Sequence, residues 1–118
     1  MSGADEDERA AIAALWDGAR ERIAQRMAAI DAAVAALGGE ALDEPSRTTA
    51  SGEAHKLAGS LGTFGVPEGS RAARDLEYLL DAEPTAADAP RAGELAAELR
   101  AAVDAGPGGG AGAGDDAG

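Results

Sequence analysis

The sequence predicts an all-α fold, an antiparallel four-helix bundle, and three observations carry that expectation. Apolar residues recur at steps of three and four, the period of one helix face, and no stretch alternates as a strand would. The chain holds 32 Ala, the best helix former, while Gly and Pro gather at the breaks between periodic segments. At 118 residues it supports one domain. Trp16, Phe64 and Tyr78 are the only aromatic residues. The core must then be thin, built from Leu, Ile and Val between closely approaching helices.

The first helix is the longest. Ile12, Trp16, Ala19, Ile23, Met27, Ile30, Val34 and Leu37 form one stripe at heptad-like spacing. Asp5 and Glu8 offer a capping-box-like start, and the acidic run suits a helix N-terminus. Gly38-Gly39 ends it. Gly18 leaves two readings open, one continuous helix or a short extra N-terminal helix before a long one. The unbroken phase of the stripe argues for continuity.

A second helix starts near Asp43, with Pro45 tolerated in its first turn, and runs to about Gly62. Its stripe is Ala50, Ala54, Leu57 and Leu61, with Phe64 just past the end. Gly65-Val66-Pro67 breaks the pattern. Pro67 opens a third helix carrying Ala72, Ala73, Leu76, Leu79 and Leu80. Pro84 and Pro90 bracket a polar connection, and a fourth helix carries Leu95, Leu99 and Val103 to Gly106-Pro107. Residues 1–105 thus read as the bundle. Residues 106–118 hold only Gly, Ala, Asp and one Pro, with nothing to bury, and read as a disordered tail. Leu57, Leu61, Leu76, Ile23, Met27 and Ile30 are expected in the core.

Composition excludes several functions. A net charge of −12 opposes nucleic-acid binding, which needs a basic face, and opposes docking on anionic membranes. No Cys and one His leave no thiol chemistry and no zinc cluster, so no metal site is expected. The acidic start lacks a hydrophobic signal segment, and the longest apolar run, Ala10 to Trp16, is too short to span a bilayer. A cytoplasmic location is the simplest expectation.

The informative stretch runs from Glu53 to Gly65. On a helical wheel at about 100° per residue, His55 lies beside the buried stripe, on a flank where an imidazole reaches solvent. Its wheel neighbours Ser51, Gly52, Gly59 and Gly62 are all small. If interior to the helix, the three glycines together cost about 2–3 kcal/mol against Ala, a large concession in a domain stable by about 5–15 kcal/mol. Gly62 ending the helix, Gly59 admitting a close neighbour and His55 sitting satisfied in a half-buried site are the bland alternatives. Charge favours function. Between Pro45 and Arg74 lie Arg47, Lys56, Arg71 and Arg74 against Glu53 and Glu68, a net +2 that leaves −14 for the remainder. A transferring phosphoryl group needs neighbouring cations, and Lys56 adjoins His55.

Ala54-His55-Lys56-Leu57-Ala58-Gly59-Ser60 through Phe64-Gly65 resembles the signature of histidine-containing phosphotransfer (HPt) domains of bacterial two-component phosphorelays. Members typically show His, any residue, Leu, Lys, Gly, Ser and a later Gly. The similarity continues through Pro67-Glu68-Gly69-Ser70-Arg71 to Leu76-Glu77 and covers about Leu15 to Val103. The family's Lys three residues after the His is Ala58 here, so the helping cation is assigned provisionally to Lys56. The resemblance implies that His55 accepts a phosphoryl group from the aspartyl phosphate of a response-regulator receiver domain and passes it to another receiver Asp. Ser51, Gly52, Gly59 and Gly62 would form the bare docking surface. It implies no cofactor of this chain's own, Mg²⁺ residing on the receiver, and it admits a hybrid histidine kinase as a further partner. Imidazole suits the role because it is nucleophilic in the neutral form available near pH 7. No GxxxxGK[ST] phosphate loop is present, so no kinase activity of its own is expected.

Two rival readings belong to other classes. One is an acidic helical module that docks receiver or kinase domains without phosphotransfer. The other is an enzyme using His55 as a general base, which Glu53 does not favour because it lies across the helix from His55. A carboxylate supplied by a distant segment stays open.

Overall fold

The computed structural model of the chain describes residues 3–39 and 41–107. Four helices follow one another: α1 (Gly3–Gly39), α2 (Glu44–Thr63), α3 (Pro67–Asp81) and α4 (Ala89–Ala105), with a single 3-10 turn at Ala86–Asp88 before α4. No strand occurs among the described residues, and the architecture is the expected helical bundle. Short connections make successive helices antiparallel neighbours, and α4 closes the ring against α1. No helix is long and apolar enough to cross a membrane among the described residues.

The question at Gly18 resolves as continuity. α1 is one helix of 37 residues, and no separate N-terminal helix precedes it. Asp5 therefore lies within the first turn rather than at a cap. At about 1.5 Å per residue α1 alone accounts for the 53 Å long axis of the molecule. The stripe is buried from Trp16 onward, through Ala19, Ile23, Met27, Ile30 and Leu37, with Val34 half-buried. Ile12, expected in the same stripe, is 38% exposed and lines an open groove with Phe64, Gly65 and Pro107 at the end of the bundle.

α2 begins where the sequence places it. Asp43 has an extended backbone and accepts a 2.8 Å bond from the Ser46 amide, with Pro45 in the first turn. At the other end, Gly65 adopts φ +79°, a left-handed conformation that glycine reaches without steric cost, and the chain turns directly into Pro67. Pro90 falls inside the first turn of α4 rather than closing the connection before it. α4 ends at Ala105. Gly106, at φ +75°, donates its amide to the Ala102 carbonyl, and Gly106 and Pro107 lie against Trp16. The remainder of the expected tail, 108–118, lies outside the described residues.

All six residues expected in the core are buried. Leu57, Leu61 and Leu76 are completely enclosed, with Ala72, Ala73, Ala92 and Ala102 letting the helices approach closely. Leu79 and Val103 pack partly buried against this core. Trp16 meets Phe64 edge to face, ring centres 5.1 Å apart, and closes one end of the bundle.

The Ser46 amide holds the Asp43 carboxyl below its ordinary range. Folding thus lowers this pKa, so the stabilisation is present above the unfolded carboxylate value of about 3.9 and is lost as pH falls through the folded value. Asp43→Ala should lower the melting temperature at pH 7, and calorimetry should show the gap to wild type closing as the buffer is acidified below that value. A gap undiminished at pH 2 would mean the loss comes from something other than the charged cap.

Candidate functional site

His55 stands near the middle of α2 with 73% of its side chain exposed. The neighbouring positions of the helix, Ala54 and Leu57, point into the core and are completely buried, which fixes the rotation of α2 and turns the imidazole outward. Its Nδ1 lies 3.0 Å from Oε2 of Glu77, on α3. A carboxylate only accepts, so Nδ1 carries the hydrogen and the lone pair of the neutral ring falls on Nε2. The ring is thereby oriented as well as supplied with a defined tautomer.

Glu77 is the site residue that a single-helix reading misses. Its only mark in the sequence is the Leu76-Glu77 pair that forms part of the family resemblance, whereas its role depends on an approach between two helices. Glu53 is engaged elsewhere, 3.2 Å from Arg26 of α1 and 3.5 Å from Lys56. The carboxylate that meets His55 comes from the distant segment.

Ser51 departs from its expected place. It is buried, and its hydroxyl donates to Asp81 of α3 at 2.5 Å. It therefore belongs to the α2–α3 seam and not to a bare outer surface. The wheel put it close to His55 in angle, but α3 covers that position. Ser70 adds a third polar tie in this seam, its hydroxyl donating to the Ala58 carbonyl at 2.7 Å. Ala58 itself is 4% exposed.

Gly52 and Gly59 are interior to α2, and Gly62 lies in its last turn. Gly59 and Gly62 are exposed and Gly52 is half-buried. A Cβ added at Gly52 or Gly59 would meet nothing within 4 Å, and at Gly62 only the Ser70 hydroxyl at 3.5 Å. Close packing within the bundle therefore does not require glycine at position 59. Gly59→Ala should fold and gain up to about 1 kcal/mol from helix propensity, read as a rise in melting temperature. Gly59→Gln should also fold. A fall in stability for both variants would show that this position has a packing role.

Of the four cations near His55 in sequence, two are tied down. Arg47 pairs with Glu44 and donates to the Leu80 carbonyl at 2.8 Å, at the far end of α2. Lys56 meets Glu53. Arg71 and Arg74 are exposed on α3 and make no hydrogen bond or ion pair among the described residues. They line a shallow open groove with Gly62, Gly65, Pro67 and Ser70. Among the described residues no three His, Cys, Asp or Glu side chains are grouped to hold a metal ion.

The family model described as Hpt domain matches residues 11–105 of this chain. No curated protein and no solved structure matches it significantly.

Proposed function

Since the chain belongs to the Hpt domain family, the phosphotransfer modules of phosphorelays, we propose that its own phosphoryl carrier atom is Nε2 of His55. The donor is the aspartyl phosphate of a response-regulator receiver domain and the acceptor is the Asp of another. A hybrid histidine kinase carrying such a receiver is a fitting donor. The observation that supports this most is the His55–Glu77 pair, an exposed imidazole with one nitrogen occupied and the other outward.

The chemistry follows from that arrangement. The Nε2 lone pair attacks phosphorus, the P–O bond of the acyl phosphate breaks, and the receiver carboxylate leaves with the bonding electrons. Nδ1 keeps its hydrogen throughout, so the ring becomes positively charged as the N–P bond forms. Glu77 carries a negative charge against that developing positive charge, which stabilises the transition state and the phosphorylated product. Return transfer runs the same steps backward. The receiver brings the Mg²⁺ that screens its own phosphoryl oxygens, and this chain contributes the nucleophile, its orientation and a surface without obstructing side chains.

Incubation with a phosphorylated receiver should leave acid-labile, base-stable phosphate on this chain. A chain that binds receivers and never acquires label would instead be a docking module. The Gly59→Gln variant should lose more rate with a receiver than with a small donor, since the receiver needs the whole of the cleared surface. Glu77 has its own signature. Glu77→Ala should slow labelling, because the charge that stabilises the developing imidazolium is gone, and Glu77→Gln less, because its amide oxygen still accepts from Nδ1. Nitrogen NMR of the imidazole should show the hydrogen on Nδ1 in wild type and a mixture of tautomers in Glu77→Ala. Equal rates for all three proteins would remove Glu77 from the mechanism.

A further inference from the structure

The geometry points to Arg74 as the cation that neutralises the phosphoryl group on His55, a role that rests on His55 being the acceptor. A phosphoryl group in transfer carries negative charge on its outer oxygens, and catalysis of the transfer is mostly a matter of placing positive charge beside them. Lys56 adjoins His55 in sequence, but its ammonium group sits with Glu53, a carboxylate that also pairs with Arg26 of α1. Position 58 cannot supply a cation, being a buried alanine.

The register of the α2–α3 seam shows what lies opposite that alanine. Ser51 meets Asp81 and His55 meets Glu77, four residues further along α2 and four back along α3. One more turn in the same antiparallel register brings Ala58 and Gly59 level with Arg74 and Ala73. Further on, Gly62 is level with Ser70, whose hydroxyl lies 3.5 Å from where a Cβ on Gly62 would be. Ala73 is buried, so it is Arg74 that faces outward at this level, one turn from Glu77. The side chain it would have to cross is missing, since the space above Gly59 is open.

Charge and accessibility agree with that placement. Arg74 is exposed and has no anionic partner among the described residues, whereas Arg47 and Lys56 both have one. The basic excess around the site in the sequence therefore reduces, in three dimensions, to Arg71 and Arg74 on the groove of Gly62, Gly65, Pro67 and Ser70. Arg71 lies almost a turn further from Glu77 along α3, so Arg74 is the nearer of the two to the acceptor. A guanidinium also offers several N–H donors in one plane, which suits phosphoryl oxygens. The same α2–α3 face thus carries a carboxylate that meets Nδ1 and, one turn along α3, an exposed guanidinium.

The test labels the full chain with phosphoramidate, a small donor whose P–N bond breaks as the bond to Nε2 forms, ammonia leaving with the proton. Wild type, Arg74→Ala, Arg74→Lys, Arg71→Ala and His55→Gln are compared by single-turnover rate and by thermal melt. Two unit charges about 4 Å apart in water interact strongly enough to change a rate about five-fold, and more where solvent is partly displaced. Arg74→Ala should be slower by at least that factor, Arg74→Lys should recover most of the loss, and Arg71→Ala should lose less. The difference between Arg74→Ala and wild type should shrink in high salt, as a charge effect does and a packing effect does not. Unchanged labelling of Arg74→Ala beside a dead His55→Gln would overturn the role of Arg74 and leave the acceptor standing. A slow Arg74→Ala that Lys fails to rescue and whose melting temperature has dropped would overturn it too, as structural damage. Labelling that survives in His55→Gln would bring down the acceptor and with it the cation.

Discussion

The His55→Gln protein should fold as wild type does and take up no acid-labile phosphate from any donor. The folding half of this expectation follows from position. The imidazole is 73% exposed, and replacing it removes a single surface bond, the one to Glu77. An exposed pair of this kind contributes at most about 1 kcal/mol, and glutamine is a good helix former. Far-UV circular dichroism and the melting temperature should therefore barely move. The chemical half follows from the amide nitrogen of glutamine, whose lone pair is delocalised into its carbonyl and does not attack phosphorus. His55 is the chain's one histidine, so no second imidazole can substitute. Labelled phosphate retained by the variant through alkali and lost in acid would place the acceptor on another kind of residue.

The largest effect on stability should come from Leu61→Ala. Leu61 is wholly buried on the inner face of α2, and its Cδ1 approaches Gly69 at the start of α3 so closely that a Cβ there would lie 2.9 Å away. Truncating a buried leucine removes transfer energy and leaves a cavity, at a cost of about 2–5 kcal/mol. In a domain with a thin core and a total stability of about 5–15 kcal/mol, that is a large share. The neighbourhood makes a second arm possible. Gly69→Ala alone should destabilise, because the new methyl meets Leu61, and also Ala102 and Val66 at 3.2 Å. With Leu61 reduced to alanine, the tightest of those clashes disappears and the methyl enters vacated space. Denaturant titration of the double variant should show less destabilisation than the two singles added together. Strict additivity would mean that the two residues do not compete for the same volume.

Much of the bundle is legible in the sequence because its signals are local. Asp43 and Pro45 start α2, and Gly65 and Pro67 separate α2 from α3, through backbone preferences that act within a few residues. The leucine spacing gives the inner face of each helix for the same reason. What fails is whatever depends on a neighbour. Ile12 continues the apolar rhythm of α1, yet a residue is buried only where another helix lies across from it, and periodicity does not record where the partners stop. Ser51 shares an angle with His55 on the wheel, but α3 arrives over one and not the other. Glu77 lies 22 residues from His55 and becomes its partner only through the antiparallel seam, which a projection of α2 alone cannot contain. The acceptor candidate is accessible to local reasoning. Its electrostatic surroundings are not.

The long first helix has a further consequence for how the molecule opens and closes. From Asp5 to Leu15 every side chain is exposed, and only Arg9, Ile12 and Ala13 reach the groove beside Trp16 and Phe64, so this stretch draws little support from the core. A free peptide of that length would rarely be helical in water, because the first turn fixes several residues for one hydrogen bond. Here the packed turns from Trp16 onward serve as the nucleus, and each further residue costs only propagation, which alanine makes favourable. The overhang is thus helical by attachment, outside the cooperative unit that holds the rest. Its amide hydrogens should exchange with solvent through shallow local openings, whereas those of Ile23 to Ile30 await opening of the bundle itself. In a single protein the two halves of one continuous helix would then report two different free energies.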